Sequence, residues 1–133
     1  MKKIDTLCVI DDDDIYTFTI KRIIAKAEVA EKTIFFHNGR VAIDFIRDCV
    51  EAIANLPDMI LLDLNMPVLD GWQFLDEFIK LVPRIGKKIM IYIVSSSIDE
   101  DDFKRAKEME LVSDFIVKPL NAIDLRSIVD QWA

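Results

Sequence analysis

Four consecutive aspartates, Asp11-Asp12-Asp13-Asp14, directly follow a short apolar run at residues 6–10. A further carboxylate, Asp63, stands at the end of the apolar run at 59–62 and opens the segment Asp63-Leu64-Asn65-Met66-Pro67. Ser95-Ser96-Ser97 follows the run at 89–94, and Lys118-Pro119 follows the run at 115–117. Were these runs parallel strands of one sheet, with the first between the second and the third, their carboxyl ends would gather two or three carboxylates, a hydroxyl and an ammonium at one edge. Such a set suits phosphoryl transfer: a carboxylate serves as nucleophile, while an ammonium and a hydroxyl offset charge on the transferred oxygens. Crowded carboxylates repel one another unless a cation sits among them. An all-oxygen set without His or Cys suits a hard divalent ion such as Mg²⁺.

Taken singly, some of these groups have simpler uses. An aspartate run is also a common helix start, where carboxylates meet the positive end of the helix dipole. Asp63 differs, because a carboxylate closing a buried strand needs a partner. The same placement recruits Lys118, an ammonium at the end of a buried strand facing carboxylates. Ser97, with Glu100 three residues on, has the capping-box pattern and is expected to start the next helix, which leaves Ser95 for a ligand. His37, in Phe36-His37-Asn38-Gly39, has no Cys or second His beside it and reads as a surface residue. Cys8 in an apolar run and Cys49 on a helical stripe form no C-x-x-C pair and read as buried, inert thiols.

Positioning these groups requires elements that alternate. The runs at 6–10, 33–36, 59–62, 89–94 and 115–117 are expected as strands. Between them Ala42, Phe45, Ile46, Cys49, Val50 and Ile53 recur at helical spacing. Tyr16, Ile20, Ile23, Ile24 and Ala27 form another helical stripe, as do Leu75, Phe78, Ile79 and Val82, and Leu125, Ile128, Val129 and Trp132. Residues 99–110 have the weakest apolar face. Asn121 with Asp124 is a looser capping pattern, and Pro57, Pro83 and Gly86 fall between elements. The strands are continuously apolar, so both faces are expected to be covered by helices. The fold class is therefore α/β: a doubly wound, five-stranded parallel (βα)5 sheet in three layers, α/β/α. Five strands are too few for an eight-stranded barrel, and no G-x-G-x-x-G follows the first, which argues against a dinucleotide site.

The 133 residues suit one domain, 1–133. A net charge of −7, from 17 basic and 24 acidic residues, opposes the electrostatic term on which nucleic-acid binding rests, so no direct nucleic-acid partner is expected. No apolar run approaches the roughly 18 residues of a spanning helix, and Lys2-Lys3 precedes Asp5 and too short an apolar patch for a signal peptide. The expectation is a cytoplasmic protein without membrane insertion.

From Val9-Ile10-Asp11-Asp12 through Asp63-Leu64-Asn65-Met66-Pro67 and Asp70-Gly71 to Val94-Ser95-Ser96 and Val117-Lys118-Pro119, the chain resembles the receiver domains of two-component response regulators. These are flavodoxin-like domains phosphorylated on an aspartate. The resemblance covers essentially the whole chain. It implies that Asp63 accepts a phosphoryl group from a phosphohistidine of a sensor histidine kinase or phosphotransfer protein. It implies that Asp11, Asp12, Asp63 and the Asn65 carbonyl organise Mg²⁺, and that Ser95 and Lys118 contact the phosphoryl oxygens. Movement of Ser95 would make room for Phe115, which stands where many relatives carry Tyr. The change would then reach a downstream target protein through the face formed by the fourth helix, fifth strand and fifth helix. The Lys118-Pro119 bond would be cis, as in relatives. Asn65 and Ser97 occupy positions that tune phosphate lifetime. Such a domain catalyses only its own phosphorylation and dephosphorylation.

The sequence reaches Ala133 just after Trp132 closes the last helical stripe, so no effector domain is expected. Output would fall to this domain's own surface, as a diffusible regulator, as a phosphorelay intermediate passing phosphate to another histidine, or as a regulated homodimer. A haloacid-dehalogenase-like phosphatase would also use an aspartate at a strand end with Mg²⁺. It needs a second, proton-donating Asp where this chain has Asn65, which cannot act as a general acid. A degenerate receiver used only as a scaffold is opposed by the intact Asp11, Asp12, Asp63, Ser95 and Lys118.

Overall fold

Runs rich in β-branched residues and leucine form the strands of the computed structural model, which describes residues 2–132. In chain order these are β1 (Ile4–Ile10), β2 (Ala30–Phe36), β3 (Met59–Leu62), β4 (Met90–Ser95) and β5 (Val112–Val117). The helices between and after them are α1 (Asp14–Ala27), α2 (Gly39–Asp48), α3 (Gly71–Leu81), α4 (Glu100–Glu108) and α5 (Ala122–Gln131). All pairings are parallel and the sheet order is β2-β1-β3-β4-β5, which places β1 between β2 and β3. This is the doubly wound sheet expected from the alternation, in the flavodoxin-like form that the resemblance implies.

Side chains alternate across the sheet. Cys8, Ile10, Ile60, Leu62, Ile91 and Ile93 belong to one core with Ile43 and Ile46 of α2, Phe74 and Phe78 of α3 and Ala106 of α4. Leu7, Val9, Met59, Leu61, Tyr92 and Val94 belong to the other, with Ile20 and Ile24 of α1 and Leu125 and Val129 of α5. Every residue of β3 is buried, as its unbroken apolar run requires, whereas the edge strands β2 and β5 are only partly covered. Cys8 and Cys49 are both buried, and burial pushes the Cys8 thiol far up from its ordinary pKa.

Local capping corrects two expectations. Asp99, not Ser97, caps α4: its carboxylate accepts from the Asp101 N–H at 2.9 Å, and the Ser97 hydroxyl oxygen accepts from the Asp99 N–H one turn earlier. The stripe 42–53 does not run through one helix, because α2 ends at Asp48 and Ile53 lies in a separate 3-10 turn, Ile53–Asn55. Asn121 does cap α5, accepting from the Asp124 N–H. A full capping box stands at Asp70 and Gln73 and starts α3.

Candidate functional site

Sheet hydrogen bonding continues one residue past the strand ends. The Asp11 N–H donates to Phe36 O at 3.0 Å and the Asp63 N–H to Ile10 O at 2.9 Å, which sets these two aspartates side by side. The Lys118 N–H donates to Ser95 O at 2.9 Å and joins the other pair in the same way. The Lys118-Pro119 peptide is cis. Asp11, Asp63, Ser95 and Lys118 therefore lie together at the carboxyl edge of the sheet.

The four aspartates after β1 divide their roles. Asp11 is buried; its carboxylate accepts from the Asp13 N–H at 2.9 Å. Asp13 is the N-cap of α1 and accepts from the N–H groups of Ile15 and Tyr16. Asp12 is exposed on the rim. Asp14 opens α1 and faces His37 at 3.8 Å, with both side chains mostly exposed, so His37 is the surface residue its sequence context implied.

Carboxylate oxygens of Asp11, Asp12 and Asp63 lie within 4.8 Å of one another. Lys118 Nζ is 2.8 Å from Asp11 Oδ2 and 3.9 Å from Asp63 Oδ1. It also sits 4.1 Å from the centre of the Tyr16 ring. Asp63 is 6% exposed, and burial, followed by the charge of Asp11, raises its pKa to about 6; Lys118 and the Asn65 backbone N–H act against the rise. The Tyr16 hydroxyl is pushed well up by burial and by the nearby Asp11 and Asp63. A cluster of three oxygen donors with an unfavourable carboxylate charge fits a hard divalent cation. Asn65 lies exposed two residues beyond Asp63 in the same loop.

That loop is held by close backbone approaches. The Gly71 N–H donates to Leu64 O at 2.9 Å, and a Cβ at Gly71 would stand 2.5 Å from Asp63 O and 2.8 Å from Leu64 Cα. The close packing of α3 against the backbone of Asp63 therefore requires glycine there. Between them Val68 takes φ 67° at the centre of a tight turn closed by Leu69 N to Pro67 O at 2.7 Å.

Ser95 is fully buried and its Oγ accepts from the Ser97 N–H at 3.2 Å. The Ser97 hydroxyl donates to Asp102 of α4 at 2.8 Å, and the other Asp102 oxygen accepts from the Trp72 indole N–H at 3.2 Å. Arg105 covers the Trp72 ring at 4.4 Å. Phe115 is partly buried and packs on Phe103 of α4, with ring centres 4.3 Å apart. Neither the Trp72–Asp102–Ser97 chain nor the Tyr16–Lys118 contact was visible in the sequence. Tyr16 reads there simply as one position of a core stripe.

This fold and site define a class of protein, and comparison with known proteins names it. The response regulator receiver domain model matches residues 7–130, and the chain belongs to that family. A two component response regulator from Cytophaga hutchinsonii superposes with a TM-score of 0.87 at 31% identity, covering 97% of this chain and 96% of that one. The Mn(2+)-bound form of response regulator Rcp1, a protein of Synechocystis, superposes with a TM-score of 0.73 at 27% identity over 94% of this chain and 88% of that one. The probable methanogenesis regulatory protein FilR2 of Methanothrix harundinacea is 27% identical, covering 94% of this chain and 79% of its own. The chain spans only 30% of a 32% identical protein-glutamate methylesterase/protein-glutamine glutaminase of Desulfotalea psychrophila. Among the described residues no helix is long and apolar enough to cross a membrane.

Proposed function

We propose that this receiver domain accepts a phosphoryl group on Asp63 in a Mg²⁺-dependent reaction and signals through the surface of α4, β5 and α5. The observation that carries this reading is the Asp63 carboxylate, buried at a strand end, clustered with Asp11 and Asp12 and facing Lys118 at 3.9 Å. Asp11, Asp12, Asp63 and the Asn65 carbonyl would hold the divalent ion, a reading supported by the clustering of the three carboxylates and by a 27% identical relative, response regulator Rcp1, having a Mn(2+)-bound form. Such an ion supplies charge compensation for the transferred oxygens when bound. An Asp63 oxygen forms the new P–O bond as the P–N bond to the donor imidazole breaks; the imidazole nitrogen keeps the bonding pair and takes up a proton. Lys118 and the Ser95 hydroxyl stabilise the phosphoryl oxygens. The domain then catalyses only its own gain and loss of phosphate.

The donor is a phosphohistidine of a sensor kinase or phosphotransfer protein. Among the described residues the five most exposed large apolar side chains, Ile15, Phe18, Val68, Ile98 and Ile123, all lie close in sequence to the site residues, on the loops and helix starts at the same edge of the sheet. An apolar rim around an acidic pocket suits docking of a protein donor. On the output side, drawing Ser95 toward the phosphoryl group releases the Ser97 N–H, and Phe115 is already seated against Phe103 of α4. The ligand shifts this face by its differential affinity for the two arrangements.

Incubation with Mg²⁺ and a small acyl phosphate, followed by intact-mass analysis, tests the reading. One phosphoryl group is expected on the wild type and none on Asp63→Asn. Equal labelling of both would refute Asp63 as acceptor.

A further inference from the structure

We propose that Tyr16 is a positioning residue for Lys118, its ring serving as the seat that keeps the ammonium at the carboxylate cluster. The inference rests on the phosphoacceptor reading above and adds a residue to it. Lys118 Nζ has carboxylates on one side, Asp11 at 2.8 Å and Asp63 at 3.9 Å, and the Tyr16 ring on another, 4.1 Å from the ring centre. The ring is itself fixed. Tyr16 lies in the first turn of α1, its N–H donates to the Asp13 cap at 3.2 Å, and its side chain packs against the core shared by α1 and α5. The aspartate run that supplies Asp11 and Asp12 thus also anchors the platform under the cation that answers them.

A ring suits this task better than another acceptor. Before phosphoryl transfer Lys118 is ion-paired with Asp11, an oxygen donor that a divalent ion also needs. The ammonium must therefore change partners, from Asp11 to a phosphoryl oxygen, without swinging into solvent on its flexible stem. Attraction to an aromatic face is broad in direction and withholds no hydrogen bond from the new partner, and it adds no negative charge to a site already rich in it. The Tyr16 hydroxyl has no hydrogen-bond partner among the described residues although it is buried, so the ring rather than the phenol is the working part.

The test uses wild type, Tyr16→Phe, Tyr16→Leu, Lys118→Ala and the double variant Tyr16→Leu/Lys118→Ala, each labelled with a small acyl phosphate and Mg²⁺ and followed by intact mass. Tyr16→Leu should slow labelling about five- to tenfold, the strength of a partly desolvated cation–π contact. Tyr16→Phe should remain within about twofold of wild type, since the face is retained. In the Lys118→Ala background Tyr16→Leu should add no further loss, because its effect passes through that ammonium. Independently of phosphorylation, proton NMR should find the Lys118 side-chain protons shifted upfield by the ring in wild type and Tyr16→Phe, and not in Tyr16→Leu. Tyr16→Met takes its place if the leucine variant does not fold. Wild-type labelling by Tyr16→Leu, equal slowing by Tyr16→Phe, an undiminished effect without Lys118, or unshifted Lys118 protons in the wild type would each overturn the proposal. Failure of the wild type to label on Asp63 would sink the acceptor reading instead, and the NMR comparison would still decide whether Tyr16 seats the lysine.

Discussion

Replacing Asp63 by Asn is expected to stabilise the metal-free protein at neutral pH. The Asp63 carboxyl has its pKa raised from 3.8 to about 6, first by burial and then by Asp11. A group whose value is higher in the folded than in the unfolded chain favours folding fully below the unfolded value, and that contribution is lost as the pH rises through the folded value. Ionised Asp63 therefore costs the folded state about 3 kcal/mol by pH 7, the difference between the two values at about 1.4 kcal/mol for each pH unit. The neutral amide of the Asp63→Asn variant would have no such cost. The stability advantage of Asp63→Asn should be near this figure at pH 7, roughly 10 °C in Tm for a chain of this size, and should shrink below about 1 kcal/mol near pH 4. Urea unfolding of both proteins across this range reads it directly. Mg²⁺ should then raise the Tm of the wild type, because an ion bound among Asp11, Asp12 and Asp63 relieves the same repulsion, while raising that of Asp63→Asn far less. A difference that does not vary with pH, or an Asp63→Asn variant less stable than wild type at pH 7, would refute the reasoning. A Mg²⁺-dependent rise that survives Asp12→Ala would refute the ligand set.

Other outcomes follow from the loops beside the site. Val68→Gly should stabilise the fold by roughly 0.5–1 kcal/mol in urea unfolding, since a β-branched residue at φ 67° is strained and glycine is not, with the gain reduced by glycine's greater freedom when unfolded. Gly71→Ala should destabilise by about 1–3 kcal/mol and slow phosphorylation, because its Cβ would fall 2.5 Å from Asp63 O and displace the nucleophile's backbone; unchanged stability and labelling would count against this. Asp102→Ala leaves the Trp72 indole and the Ser97 hydroxyl without their acceptor and should lower stability by about 1–2 kcal/mol. It should also red-shift the Trp72 emission and speed amide exchange in α4; an α4 as protected as in wild type would show that Asp102 does not fasten it.

The five-fold alternation, the buried parallel sheet and the placement of Asp63, Ser95 and Lys118 at one edge were legible in the sequence. A parallel sheet must put the ends of its strands on one side, and apolar runs mark where strands end. Chain order alone did not divide the four aspartates after β1. The backbone turn from strand to helix points Asp11 into the sheet edge, leaves Asp12 on the rim and spends Asp13 as a helix cap. Nor did local pattern choose Asp99 over Ser97 as the cap of α4, because the Ser97 hydroxyl is taken by Asp102, and Trp72 supplies that carboxylate's other donor from α3. Tyr16 fits its helical stripe equally well whether or not a cation lies above it. Lys118 comes to it from the far end of the chain, through β5 and the register of the sheet. Periodicity reports which side of an element is apolar. Which polar groups meet across the site depends on how β1, β3 and β5 are packed, and the tertiary structure alone decided that.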